Sequence, residues 1–193
     1  MSAASSKKTP LPPAGYRDDP MTREVLRRVE LMSPRPSLPH GFCAGQLHGA
    51  LWASFNRRRG PGGPGRPGGW VILAEPELHL EQEDPIVPDI AGWLGARMPL
   101  IPRTAAVKIA PDWVCEVLSP STEAMDRTVK LDIYGTARVG HVWLVDPLKQ
   151  RVEVYALAST GYRSAGEHAG EAVMRSAPFE SLALELADIW PAM

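Results

Sequence analysis

Residues 112–134 read DWVCEVLSPSTEAMDRTVKLDIY, and this stretch decides the fold. Its first eight residues, 112–119, are almost wholly apolar around Glu116. Alternation puts Asp112, Val114, Glu116 and Leu118 on one face of a strand, and Trp113, Cys115 and Val117 on the other. Ser119-Pro120-Ser121-Thr122 then ends the strand. Ser121 or Thr122 supplies an N-cap, and Glu123 and Asp126 fall in a first helical turn, where the helix dipole favours acids. Met125, Val129 and Ile133 form an apolar stripe, and the helix is expected to run to about Ala137. A second row, Asp126, Lys130 and Tyr134, is polar and spaced by four.

Working outward, short apolar or alternating runs predict further strands at 70–80, 86–94, 141–146, 151–157 and 181–190. Turn residues at Asp146-Pro147 and around Gly161 predict hairpins from 141 onward. Upstream, residues 43–55 place Leu47, Leu51 and Phe55 four apart and predict a helix, whereas 21–29 reads as a short helix or an extended segment. Helices beside a mixed, partly antiparallel sheet define an α/β (α+β) fold. Residues 1–20, rich in proline and serine, read as a disordered leader, and 21–193 as one domain. A Gly/Pro/Arg-rich loop at 57–69 interrupts it. Gly60, Gly62 and Gly65 there match a dinucleotide fingerprint by spacing only, because prolines 61, 64 and 67 forbid the helix that the motif requires.

Composition narrows the function. The chain has 193 residues, 44% apolar and 22% charged, which is enough to build a core without disulfides or structural metal. A formal charge of −1 excludes a protein that coats nucleic acid by bulk charge. Two cysteines, Cys43 and Cys115, point to a reducing compartment. No apolar run approaches a membrane span, and Lys7 and Lys8 precede no apolar h-region. The expected location is cytoplasmic.

The chemistry-bearing residues are Asp89 and Glu116, both set in apolar strands where an unpaired carboxylate costs several kcal/mol. Either each makes an ordinary buried hydrogen bond or ion pair, or the two share a divalent cation such as magnesium. Lys130 pairs with Asp126 on a solvated helix, or reaches toward those carboxylates to polarise an attacking water. A separate reading gathers His40, Cys43, His48 and Cys115 around zinc, although their spacing matches none of the familiar zinc patterns. Trp113 and Trp143 lie on strands and are expected in the core.

VPDI at 87–90, DWVCEVLSPST at 112–122, DRTVKLDIY at 126–134 and GHVWLVDP at 140–147 occur in an order and spacing that resemble the Uma-type restriction-endonuclease family of the PD-(D/E)XK nuclease superfamily. The resemblance covers roughly residues 24–190. It implies a core of about four mixed strands flanked by helices, and hydrolysis of DNA phosphodiester bonds with Mg²⁺, for which Mn²⁺ can substitute. Carried over by position, Asp89 is the bridging metal ligand, Glu116 the second acid, and the carbonyl of Val117 the third ligand. Leu118 stands where simpler members carry lysine, so Lys130 on the following helix takes that place, with Asp126 and Tyr134 orienting it. Glu24 matches an N-terminal helix glutamate that supports the metal, although Arg27 and Arg28 replace the acidic-glycine turn of relatives. His40 falls where relatives carry a histidine, to contact phosphate or to cap the helix beginning near Cys43. A local DNA groove would draw on Arg57, Arg58, Arg59 and Arg127, with Arg66 and Arg103. Cutting both strands implies a homodimer, for which edge strands after 150 offer an interface. RNA satisfies the same chemistry as a substrate. The contrasting expectation is a catalytically inactive nucleic-acid-binding or structural protein on the nuclease fold.

Overall fold

The structure is a computed structural model that describes residues 21–26, 29–34, 36–56, 68–80 and 85–192, with the backbone alone for the first two stretches. The expected leader, Arg27, Arg28, Arg57 to Arg59 and Arg66 lie outside the described residues.

The first two strands, β1 (Met21–Leu26) and β2 (Val29–Pro34), pair antiparallel with Glu24 opposite Leu31. The helix expected for Glu24 is therefore corrected to a strand. Val25, Val29 and Thr22 favour this outcome, since β-branched side chains are stiff in helices and pack well on a pleat.

Helix α1 (Leu38–Phe55) begins five residues before the expected start. Ser37 is its N-cap, the Ser37 Oγ accepting from the His40 backbone N–H at 3.4 Å. Pro39 sits in the first turn, where its missing N–H is no loss. His40 is thus not the cap.

The remaining strands are β3 (Trp70–Ala74), β4 (Glu77–Leu78), β5 (Ile90–Leu94), β6 (Ala106–Val107), β7 (Trp113–Val117), β8 (His141–Asp146), β9 (Arg151–Ala158), β10 (Gly161–Ala169), β11 (Val173–Met174) and β12 (Leu184–Glu185). Six of them form the central sheet in the order β10-β9-β8-β7-β5-β3, in which only the β7–β8 pair is parallel. Helix α2, residues 123–136, makes the crossover between those two strands. The run at 70–80 is split into β3 and β4, with Glu75 in the left-handed region (φ 46°) and Pro76 after it. The run at 181–190 keeps only a two-residue strand before a 3₁₀ turn, Leu186–Asp188.

Alternation on β7 divides the core. On one face Trp113, Cys115 and Val117 pack with Cys43, Leu47, Leu51 and Phe55 of α1 and with Phe179, Leu186, Ile189 and Trp190 from the C-terminal segment. Phe179 lies 4.7–5.6 Å, ring to ring, from Phe55, Trp70, Trp113 and Trp143, so both expected core tryptophans are confirmed. On the other face Val114 and Leu118 pack with Ile133 and Tyr134 of α2 and with Trp93. Glu116 belongs to this second face. Gly92 lies between layers of rings, and a Cβ there would come within 3.2 Å of both Trp113 and Trp70.

Candidate active site

The register of the sheet brings the two key acids together. Gly92, Ala91 and Ile90 of β5 lie opposite Trp113, Val114 and Cys115 of β7. One step further along the same antiparallel ladder sets Asp89 beside Glu116. Asp89 therefore occupies the mouth of β5, in a bend, and not the strand interior that the sequence suggested. Its Oδ2 accepts the Val117 backbone N–H at 2.7 Å. Its Oδ1 lies 3.2 Å from His40 Nε2.

Glu116 is 2% exposed. Its Oε1 accepts from the Tyr134 hydroxyl at 2.5 Å and its Oε2 from Lys130 Nζ at 3.1 Å. Lys130 Nζ also lies 3.3 Å from Asp126 Oδ1. Asp126, Lys130 and Tyr134 are all buried, whereas Met125 and Val129 are only partly so. The polar row is thus the one that faces the sheet, and of the two alternatives for Lys130 it is the reach toward Glu116, not the solvated helix face, that the structure shows.

Local helix geometry explains how three residues four apart can share a face. In an α-helix each four-residue step overshoots a turn by about 40°, so residues 126 and 134 would diverge by about 80°. Residues Asp126–Lys130 form instead a π-helical turn, between an α-turn at Glu123–Met125 and the α-helical Leu131–Thr136. The wider turn winds less per residue and takes back part of that drift. Such turns recur at functional sites.

The electrostatics follow from burial. Burial pushes the Glu116 carboxyl well above its usual range; Lys130 and Tyr134 pull it down, while the charges of Asp126 and Asp89 push it further up. Asp126 is raised for the same leading reason, with Lys130 and the Thr122 hydroxyl opposing. For His40, burial lowers the pKa, but the hydrogen bond and charge of Asp89, the charge of Asp126 and the Val117 carbonyl outweigh it, so the net direction is up. Three carboxylates thus feel one another around a single lysine among the described residues, and their mutual repulsion adds to burial in shifting Glu116 and Asp126 toward the neutral form.

The zinc reading is not supported. Among the described residues no three His, Cys, Asp or Glu side chains converge as a metal-holding group. Cys43 and Cys115 are buried free thiols; desolvation raises Cys43 to about 12 and raises Cys115 as well, the reverse of what a thiolate ligand needs.

Elsewhere, Arg127 forks onto Glu153 through both terminal nitrogens, at 2.7 and 2.8 Å, and its Nε donates to Glu123 at 2.9 Å. Its charge is matched inside the protein. Arg103 is exposed. The side chain of Glu24 lies outside the described residues. Two contacts escaped the sequence reading: Thr122 with Asp126, and His40 with Asp89. The first was signalled by the four-residue spacing from a helix start. The second joins positions 49 apart and has no local signature.

The geometry is thus a mixed sheet with Asp89 and Glu116 at the β5–β7 junction and Lys130 on the helix packed over it. Residues 18–187 match the model of the Uma2 family, described as "Putative restriction endonuclease", and the chain belongs to that family. Among solved structures it is similar to the crystal structure of a "putative nuclease belonging to DUF820" from Anabaena variabilis ATCC 29413. That similarity has a TM-score of 0.70 and 21% identity over 88% of this chain and 89% of that one. It establishes the fold. Comparison with curated proteins gives no match. Among the described residues no helix is long and apolar enough to cross a membrane.

Proposed function

We propose that this protein is a metal-dependent endonuclease that hydrolyses DNA phosphodiester bonds. The observation that carries the reading is the meeting of Asp89 and Glu116 at the β5–β7 junction, with Lys130 drawn 3.1 Å from Glu116 from the helix behind. The donor set suits Mg²⁺ or Mn²⁺. Mg²⁺ is usually bound by one or two carboxylates with the rest water, and a divalent cation would relieve the mutual repulsion of Asp89, Glu116 and Asp126. Asp89, Glu116 and the Val117 carbonyl would hold it. When bound, the metal supplies a water of lowered pKa and neutralises phosphate charge.

The chain's own residues prepare the reaction. The Val117 N–H fixes Asp89 through Oδ2, and His40 lies against its Oδ1. Tyr134 fixes Glu116 through Oε1. Lys130, held by Glu116 and Asp126, carries an ammonium that can orient an attacking oxygen and stabilise charge developing on phosphate. A homodimer would present two such sites, one for each strand.

One observation favours a second reading. Both Glu116 oxygens are bonded within the protein, as in a silent site on a nucleic-acid-binding or structural scaffold. Supercoiled plasmid separates the two. Nicking or linearisation that requires Mg²⁺ or Mn²⁺ and disappears in Glu116→Ala supports the nuclease. Absence of cleavage on DNA and RNA alike supports the scaffold, and cleavage that survives in Glu116→Ala refutes the site.

A further inference from the structure

We propose that the outer face of α1 is a dimer interface, on which α1 of a second copy of this chain lies antiparallel. The inference stands apart from the metal-dependent reading and concerns the side of the helix turned away from Asp89.

The composition of α1 comes first. Its sequence, LPHGFCAGQLHGALWASF, contains no Asp, Glu, Lys or Arg. A surface helix turns charged or polar side chains to water, and one that is apolar all round is a covered one. His40, Cys43, Leu47, Leu51 and Phe55 take the buried face. At about 100° per residue, Leu38, Gly41, Phe42, Gly45, Gly49 and Trp52 form one stripe opposite them. Leu38 is 90% exposed, Phe42 45% and Trp52 53%, and the three glycines are exposed as well. Glycine weakens a helix, and packing within the chain does not call for it here. A Cβ at any of the three would meet no heavy atom within 4 Å among the described residues. Room for a close approach is thus kept on the outside.

The spacing names the occupant. Along the stripe, Phe42 is followed three positions on by Gly45, four further by Gly49 and three further by Trp52. Large, small, small, large reads the same in both directions. Two helices laid antiparallel about a two-fold axis at the level of Leu47 set each Phe42 toward the partner's Trp52 and each Gly45 toward the partner's Gly49. Ridges then fall into grooves, and the backbones close at the centre. A two-fold contact also brings every group near its own copy. A charged face would repel itself there, and this one carries no charge.

Area sets the strength. The helix is about 27 Å long and about 10–12 Å wide, a footprint of roughly 300 Å² per copy. An apolar groove at its N-terminal end, bounded by Leu38, Phe42 and Pro191, extends that surface. A standard interface takes roughly 800 Å² from each partner, so the contact is that of a reversible, concentration-dependent dimer.

Sedimentation velocity of the full chain from micromolar to millimolar concentration tests this, beside two double variants: Gly45→Glu with Gly49→Glu, and Gly45→Lys with Gly49→Lys. Wild type should pass from monomer to dimer. Each variant alone should dimerise about a hundredfold more weakly or not at all, because like charges face each other across the axis. An equimolar mixture should regain a dimer with one chain of each kind. Glu and Lys are better helix formers than glycine, so the Tm of each variant should hold. Hydroxyl-radical labelling of wild type needs no substitution, and Phe42 and Trp52 should become protected as concentration rises. A chain monomeric throughout overturns the proposal: labelled Phe42 and Trp52 then mean an open face, and protected ones a face covered by another segment of this chain. A dimer indifferent to both double variants overturns it in favour of another surface, such as the β10 edge. Monomeric variants whose mixture stays monomeric overturn the antiparallel register.

Discussion

Replacing Lys130 with methionine removes the cation from between Glu116 and Asp126 while keeping most of the buried stem volume. Lys130 Nζ is 3.1 Å from one carboxylate and 3.3 Å from the other, and all three side chains are at most 7% exposed. Solvent cannot stand in for the lost charge. Breaking a buried pair by deleting one partner costs about 3–5 kcal/mol. At roughly 2–4 °C per kcal/mol for a domain of this size, Tm should fall by about 6–20 °C near pH 8. The loss has a defined pH dependence. Glu116 and Asp126 already have folded-state pKa values above their unfolded ones, and removing the ammonium raises both further. The folded state then binds more protons than the unfolded state, so stability recovers as pH falls toward the unfolded carboxyl range, about 4–4.5. Urea unfolding of the metal-free protein at pH 8 and pH 5.5 measures this, and adding Glu116→Gln to Lys130→Met should restore part of the loss at pH 8. A destabilisation below about 1 kcal/mol at pH 8, or one equal at both pH values, would refute the buried triad.

Three further outcomes are expected. Tyr134→Phe removes a hydrogen bond that holds the Glu116 pKa down, so the Glu116 carboxyl of the metal-free protein should titrate at higher pH by ¹³C NMR; an unchanged midpoint counts against the contact. Arg127→Ala should cost about 1–3 kcal/mol, because its paired bonds to the part-buried Glu153 are charge-assisted. Arg127→Lys should rescue little of this, since an ammonium cannot reproduce the fork, and a full rescue in thermal denaturation would contradict that account. Gly92→Ala should cost about 1–3 kcal/mol by overpacking, since the new methyl meets two indole rings already seated on Phe179; a neutral change in urea midpoint would mean that the rings can yield.

Much of this architecture was legible because β7 is short and strictly alternating. WVCEV sorts its side chains by parity, and the face assigned to Glu116 is the face observed. The row of Asp126, Lys130 and Tyr134 was equally visible, but its burial stayed open between a solvated face and one that reaches the carboxylates. Helical spacing cannot say which of two stripes meets the sheet, and the apolar stripe is the default. What settles the matter is Glu116, an anion that requires partners once it is buried. β10 was signalled only by the hairpin turn expected around Gly161, because GYRSAGEHA has little apolar alternation of its own; it lies at the sheet edge, where one neighbour suffices. The start of α1 was hidden by its prolines, although Ser37 followed by Pro39 is itself a helix-start pattern. Pairings across the chain, His40 with Asp89 above all, depend on tertiary register and leave no periodic trace.

The π-helical turn of α2 has a consequence for how this chain tolerates insertions and deletions. It holds one residue more than an α-helical turn needs, and Thr128 within it is exposed. Removing Thr128 would leave a more regular helix, its C-terminal half still anchored by Ile133 and Tyr134. Because the wide turn already absorbs the surplus residue, the excision would leave the flanking helical turns close to their present orientation. Asp126 and Lys130 would become i, i+3 neighbours that still share a face, and Tyr134 would stay on Glu116. A one-codon loss here would thus spare both folding and the charge cluster, whereas the same loss from the regular turn after Lys130 would rotate one side against the other by about 100°.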